Sequence, residues 1–222
     1  MVFMNRIVLA MSGFCLVTIG GTHCLRAHPH VWVQTETIVL FDKGNITGLQ
    51  EKWTFDEYYT AMSIEGLDKN GDGVYAREEL QELAQVNIDG MKDFDYFTYA
   101  KFGKDAAKFG PPKDYYLEHK NGILSLFFTL PLAGPVNTGA SDFEFIVDDP
   151  SFFIAFTPAE KSPVVLSAGA PKGCTAKVVT NAKDEAEAKR LQDAFNAQLA
   201  PANAGGAPMG MSKLITVACA KG

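Results

Sequence analysis

The sequence predicts an α+β fold, built mostly of antiparallel sheets, with an EF-hand-like helical hairpin inserted near the N-terminus and one late amphipathic helix. Three observations predict it. Short segments of alternating apolar and β-branched residues occupy most of the chain. Two helical patterns enclose a polar loop at residues 68–79. A stripe of apolar side chains recurs at helical spacing across residues 182–200.

The elements follow in a definite order. Strands at residues 30–40 and 46–55 flank a turn and form a hairpin, and Asp56 suits the N-cap of a helix that follows. A second helix is expected over residues 76–88. The remaining segments predict strands at 96–102, 114–118, 123–132, 143–147, 152–156, 164–167, 174–180 and 214–220, with the late helix at 182–200.

Composition agrees with a folded chain of this class. The 222 residues carry a formal net charge of -6, with 47% hydrophobic and 21% charged residues. This composition is too apolar for a disordered chain. The acidic balance argues against a nucleic-acid partner, because nucleic-acid binding requires a basic surface.

Residues 1–27 have the pattern of a signal peptide. Arg6 supplies the positive start, residues 7–19 form an apolar run too short to span a bilayer, and Ala27 suits the cleavage position. An uncleaved membrane anchor is the alternative. We therefore predict one exported domain over residues 28–222, with the helical hairpin inserted at residues 56–90.

The predicted export determines which cysteines remain in the mature chain and whether they can form a disulfide. Removal of residues 1–27 leaves Cys174 and Cys219, an even pair in an oxidising compartment, so a disulfide is expected between them. A thiolate metal site is the alternative, although the two residues lack a CxxC spacing.

The loop at residues 68–79 matches every specified position of the calcium-binding pattern D-x-[DN]-x-[DN]-G-x5-E. Ca²⁺ prefers oxygen ligands, and glycine at the sixth position permits the sharp turn of the loop. The predicted calcium ligands are Asp68, Asn70, Asp72 and Glu79 through their side chains and Val74 through its backbone carbonyl. A solvated acidic turn is the alternative. Because no second loop of this kind is present in the sequence, a structural calcium site is expected rather than a switch.

The start of the mature chain is a second candidate metal site. Cleavage after Ala27 gives an N-terminus that reads His28-Pro29-His30. The free amine and the imidazole of an N-terminal histidine chelate one metal together, and residues two apart share a strand face. Imidazole suits zinc, copper and nickel. We predict a Zn²⁺ or Ni²⁺ site at His28 and His30, with two solvent-exposed histidines as the alternative.

Few further ligands accompany these histidines. His119 is the third histidine of the mature chain, and Asp56 and Asp149 are carboxylates that would complete a site. The signatures of zinc proteases and of serine or cysteine nucleophiles are absent from the sequence. We expect a binding protein rather than an enzyme. A copper enzyme that uses the N-terminal histidine is the least favoured alternative.

Several of these stretches together resemble one known family, the periplasmic domain-of-unknown-function family number one thousand and seven. The stretches are His-Pro-His-Val-Trp-Val at 28–33, Trp-Thr-Phe-Asp-Glu-Tyr at 53–58, the loop at 68–79, Val-Asp-Asp-Pro-Ser-Phe-Phe at 147–153 and the cysteine pair. Members are often labelled as a periplasmic component of an uncharacterised ABC-type transport system. They commonly accompany nickel/cobalt-type permeases, and some are linked to zinc acquisition.

The resemblance implies a periplasmic accessory protein that binds a divalent transition metal and delivers it to a membrane permease. Gln34 stands where the family suggests an acid, and Phe152 and Phe153 stand where it suggests tyrosines. The alternative is a calcium-stabilised protein-interaction module with no transition-metal role. The aromatic residues considered for its partner surface, which could equally be core, are Trp32, Trp53, Phe55, Tyr58 and Tyr59.

Overall fold

The computed structural model describes residues 29–139, 142–179 and 212–220. Within these ranges the chain is mixed α+β, mostly strands with two helices, which confirms the predicted class. The predicted signal peptide at 1–27, His28 and the predicted late helix at 182–200 lie outside the described residues. Neither helix in the described ranges is long and apolar enough to cross a membrane.

The secondary-structure bounds agree with most of the predicted segments. The strands are β1 (Val31–Asp42), β2 (Asn45–Phe55), β3 (Thr98–Phe102), β4 (Asp105–Ala107), β5 (Lys113–Lys120), β6 (Ile123–Asn137), β7 (Phe143–Val147), β8 (Ile154–Pro158), β9 (Val164–Leu166), β10 (Thr175–Val178) and β11 (Ile215–Ala218). The helices are α1 (Glu57–Ile64) and α2 (Arg77–Met91). The short strand β4 is absent from the sequence prediction.

The first sheet has the strand order β5-β6-β2-β1-β8, and β9 also pairs with β1. The predicted hairpin β1–β2 is present and antiparallel, and β5 and β6 form a second antiparallel hairpin. Strand β1 pairs in parallel with β8 and β9 along its other edge. Gly48 is required where β2 meets β6, because a Cβ at this position would lie 2.6 Å from the carbonyl oxygen of Leu130.

The second sheet has the strand order β10-β11-β7-β3-β4. The antiparallel pair β10–β11 brings residues 174 and 219 side by side, since Thr175 pairs with Ala218. Cys174 and Cys219 form a disulfide, as predicted. The bridge therefore joins two cysteines that are 45 residues apart in sequence, at the ends of these paired strands.

Two apolar clusters form the core. The first lies between one end of the first sheet and the helices, where α2 buries Leu80, Ala84, Ile88 and Met91 at helical spacing. The second joins both sheets, with Val39 and Leu49 of the first sheet packed among residues of β3, β7 and β11. The helices therefore cover only the end of the first sheet where β1 begins.

A left-handed turn follows α2. Asp95, Tyr96 and Phe97 all have positive φ angles, of 50°, 54° and 51°. Non-glycine residues rarely adopt this conformation, and three in succession are costly. The strand predicted from residue 96 consequently begins only at Thr98.

Candidate functional site

The loop at residues 68–79 connects the two helices. Helix α1 ends at Ile64, and Gly66 then turns the chain with a φ of 77°. Helix α2 begins at Arg77, the tenth position of the loop pattern, so Glu79 lies in its first turn. Eight hydrogen bonds, all with a side-chain acceptor from this pattern, connect residues within the loop.

The carboxylate of Asp68 organises the glycine turn. Its Oδ1 accepts hydrogen bonds from the backbone N–H groups of Gly71 (2.8 Å) and Asp72 (3.2 Å), and its Oδ2 accepts one from Gly73 (2.9 Å). Gly73 has a φ of 77°, a left-handed conformation that glycine adopts without strain. The first and sixth positions of the pattern are thereby held together.

The side chains of Asn70 and Asp72 bond to each other and to the same turn. Asn70 Oδ1 accepts a hydrogen bond from the Asp72 N–H (2.9 Å), and its Nδ2 donates to Asp72 Oδ2 (3.0 Å). Asp72 Oδ1 accepts from the N–H of Val74 (2.7 Å). Three of the predicted calcium-ligand side chains are thus turned inward around one short stretch of backbone.

Glu79 closes the loop from its far end. Its Oε1 accepts from the N–H of Lys69 and its Oε2 from the N–H of Ala76, both at 2.9 Å. In this conformation Glu79 caps α2, which has no capping side chain at Ala76. Across the described ranges, no three histidine, cysteine, aspartate or glutamate side chains are grouped so as to hold a metal ion. Coordination by Glu79 would therefore require its carboxylate to exchange backbone amides for a cation.

The loop is anchored on β5. The Tyr75 ring meets the His119 ring edge-on with centroids 4.8 Å apart, and the Arg77 guanidinium lies 3.7 Å from the centre of the Tyr116 ring. His119 is consequently part of this packing. Strand β5 is three strands from β1, a separation of about 14 Å, so His119 and His30 are not brought together.

His30 leads into β1 at the surface. Its N–H donates to the carbonyl oxygen of Phe153 (2.9 Å), and its exposed ring lies 5.0 Å from the Phe153 ring. The other predicted transition-metal ligand, His28, lies outside the described residues.

Both carboxylates considered as partners of these histidines have structural hydrogen bonds. Asp149 accepts from the N–H groups of Ser151 (2.8 Å) and Ile154 (2.9 Å) and fixes the turn before β8. Asp56 accepts from the N–H groups of Tyr59 and Trp32, both at 2.8 Å, and so caps α1 and ties it to β1. Neither carboxylate is therefore an uncommitted ligand.

A buried acid in the first sheet was missed by the sequence analysis. Glu51 is fully buried, and its Oε2 accepts a hydrogen bond from the hydroxyl of Thr37 (2.9 Å). Its Oε1 and the indole Nε1 of Trp53 are buried without forming a hydrogen bond. Burial raises the pKa of Glu51 to about 8, while the Thr37 hydroxyl and the nearby Trp53 indole oppose that rise. Glu51 is thus largely protonated at neutral pH.

The aromatic residues considered for a partner surface divide into two groups. Trp53 and Phe55 belong to the first core cluster, and the Tyr59 ring stacks on Phe55 with centroids 4.5 Å apart. Trp32 is 48% exposed and Tyr58 is 72% exposed. Only these two remain available for contact with a partner.

The chain is similar in sequence to a protein family and to a bacterial protein. The family described as "Protein of unknown function (DUF1007)" matches residues 13–219. A protein of Haemophilus influenzae, named only as uncharacterized, is 30% identical over 160 residues, which are 72% of this chain and 76% of that protein. The family match spans nearly all of the described fold, and neither match carries a statement about metals.

Proposed function

The chain belongs to the family of proteins of unknown function DUF1007, and we propose that it is an exported calcium-binding accessory protein that delivers a divalent transition metal to a membrane permease. The observation that carries the calcium part is the inward arrangement of Asp68, Asn70 and Asp72 around the Gly73 turn, closed by Glu79. This loop is the EF-hand-like element of the proposal.

The donor set of the loop favours calcium. The proposed ligands include three carboxylates and one amide side chain within twelve consecutive residues, and the backbone carbonyl of Val74 adds a further oxygen. Hard oxygen ligands in a flexible loop match the large coordination sphere of Ca²⁺, whereas Mg²⁺ demands a tighter octahedron and retains its waters. Bound calcium would also offset the repulsion between the three carboxylates.

Thermal unfolding of the mature chain tests the calcium site. With a dissociation constant of about 10⁻⁴ M, Ca²⁺ at about 1 mM would stabilise the folded state by about 1.4 kcal/mol, which raises the melting temperature by a few degrees. Equal concentrations of Mg²⁺ serve as the control and should shift it less. An unchanged melting temperature in millimolar Ca²⁺ would count against the site.

The transition-metal part of the proposal is supported by the start of the chain. His30 is exposed at the beginning of β1, two residues after His28 in the sequence. Because Asp56 and Asp149 are held by backbone amides, the site would depend on the two imidazoles and on the amine of a processed N-terminus. Zn²⁺ and Ni²⁺ suit such nitrogen ligands.

Calorimetric titration of processed protein with Zn²⁺ or Ni²⁺ tests this site. Replacing both residues, His28→Ala with His30→Ala, should abolish binding. His119→Ala is the matched control. His119 lies on β5, away from His30, and packs against Tyr75, so this replacement should leave metal binding intact. Binding that survives the double replacement would refute the assignment to the N-terminus.

A periplasmic location is part of the same proposal. The signal-peptide pattern at residues 1–27 provides export, and the disulfide between Cys174 and Cys219 fits an oxidising compartment. Mass spectrometry of the protein from the periplasmic fraction should show a chain that begins at His28. A chain that keeps residues 1–27 would contradict both the location and the N-terminal chelate.

A second candidate function is a calcium-stabilised interaction module without a transition metal. The exposure of Trp32 and Tyr58 favours it. The Trp32 N–H donates to the Asp56 carboxylate, and the Trp32 carbonyl oxygen accepts from the Asp56 N–H, so Trp32 is held beside the start of α1. Titration with Zn²⁺ or Ni²⁺ distinguishes the two candidate functions. The interaction module predicts calcium binding without Zn²⁺ or Ni²⁺ binding to processed protein.

A further inference from the structure

A cavity of about 200 Å³ lies between the first sheet and the two helices. Strands β1 and β2 supply one wall through Val31, Val33, Trp53 and Phe55. Tyr59 of α1, together with α2, contributes to its lining. The cavity is therefore built from elements that are distant in sequence and lies apart from the calcium loop.

The walls lie mostly below the protein surface. Val33 and Trp53 are each 1% exposed, whereas Phe153, which also lines the cavity, is 48% exposed. The cavity thus extends from the core to the surface at Phe153. A concave, mostly apolar space of this kind is typical of small-molecule sites.

One polar pair contributes to the lining. The hydroxyl of Tyr59 donates to Oδ1 of Asn87 (3.0 Å), and Nδ2 of Asn87 donates to the carbonyl oxygen of Leu83 (2.9 Å). Burial raises the pKa of Tyr59, so its hydroxyl remains protonated at neutral pH. Among the residues that the structure describes, no charged side chain lines the cavity. An uncharged ligand is therefore the best match.

Two strained segments adjoin residues that line the cavity. Phe152, next to Phe153, has a φ of 60°. The left-handed turn at residues 95–97 ends at Phe97, whose ring lies 6.4 Å from the ring of Trp53. Backbone strain of this kind persists where the surrounding structure enforces it, and it concentrates at ligand sites.

We propose that this cavity binds a free, uncharged small molecule with the dimensions of one aromatic ring or two fused rings. Its volume sets the size, because an apolar cavity of about 150 Å³ is large enough to bind benzene. The rings of Trp53, Phe55, Tyr59 and Phe153 favour an aromatic ligand through edge and face contacts. The buried walls favour a free molecule over a side chain of a partner protein, whose backbone would have to remain at the surface.

Titration of the mature chain with fluorobenzene, followed by fluorine NMR, tests the proposal. Wild-type protein should show saturable binding at millimolar or lower ligand concentration. Ile154→Phe places extra volume at the cavity wall and should weaken binding by about tenfold or more. Val39→Ala is the matched control, because Val39 is buried in the second cluster and does not line the cavity.

A second variant, which enlarges the cavity, tests the proposal if Ile154→Phe does not fold. Met91→Ala lengthens the cavity at α2 and should improve the affinity for naphthalene relative to fluorobenzene. Absence of saturable binding to wild-type protein would overturn the proposal. Equal affinities in wild-type protein, Ile154→Phe and Met91→Ala would overturn it too, since the ligand would then bind elsewhere.

Discussion

The loop at residues 68–79 and the buried Glu51 are two acidic regions of this protein with different surroundings. The loop places Asp68, Asp72 and Glu79 at the surface, where backbone N–H groups and water compensate their charges. Glu51 has no exposed surface, and one hydroxyl, that of Thr37, bonds to it. Burial beside a single hydroxyl therefore keeps Glu51 neutral, whereas the loop carboxylates lie at or near the surface and accept hydrogen bonds from several backbone N–H groups.

The largest expected effect tests the neutrality of Glu51. Its pKa rises to about 8 on folding from an ordinary value of 4.5, so the folded state holds a proton that the unfolded state releases. Stability should therefore fall as the pH rises from about 4.5 to 8. Glu51→Gln removes this decline and should be more stable than wild type by a few kcal/mol above pH about 8.

Urea unfolding across that pH range measures the difference. Glu36→Gln is the matched control, because Glu36 lies on the same sheet but pairs with Lys52 and is partly exposed. The free energy of unfolding of Glu36→Gln should change with pH in the same way as that of wild type. Parallel curves for Glu51→Gln as well would show that Glu51 is ionised in the folded state.

A smaller effect is expected at Thr37. Thr37→Val removes the hydroxyl that bonds to Glu51 and leaves a buried oxygen unsatisfied, at a cost of about 1–3 kcal/mol. Thr35→Val, two residues earlier on the same face of β1, keeps that hydrogen bond and should cost less. Urea unfolding near neutral pH compares the two, and equal losses would mean that the Thr37 hydroxyl does not stabilise Glu51.

The turn at residues 68–79 could be predicted because its residues follow a local sequence pattern. The burial of Glu51 was not predicted. Asp68 and Gly73 organise the loop through neighbours only a few residues away, and Asn121-Gly122 likewise specifies the β5–β6 hairpin. A signal for Glu51 existed, because it alternates in phase with the apolar Leu49, Trp53 and Phe55 of β2. Because charged residues are rarely buried, this alternation alone did not predict a buried glutamate.

Other features depend on contacts between distant segments. The parallel pairing of β1 with β8 joins residues more than a hundred positions apart, and nothing in either strand specifies its partner. The left-handed turn at residues 95–97 contains two aromatic residues that do not favour positive φ. Tertiary packing of Phe97 against Trp53 and Phe156 accompanies that conformation, so local sequence gives no indication of it.

The smallest expected effect concerns the attachment of the loop to β5. Arg77→Ala removes the contact of the guanidinium with the Tyr116 ring and should cost about 0.5–1 kcal/mol of stability. Calcium affinity should change little, because Arg77 provides none of the proposed ligands. Thermal unfolding measures the loss, with Glu78→Ala at the neighbouring exposed position as the control. A large fall in calcium affinity would mean that this contact shapes the ion site.

Isothermal titration of the mature chain with Ca²⁺ tests whether the loop at residues 68–79 binds this ion, with Glu79→Gln compared with Glu78→Gln. Both variants remove one negative charge from the first turn of α2, but only Glu79 reaches back to the loop, at the N–H of Lys69. We expect one calcium per chain for wild type and Glu78→Gln, with a dissociation constant of about 10⁻⁵–10⁻³ M, and loss of binding for Glu79→Gln. Absence of binding to wild type, or equal binding by both variants, would contradict it.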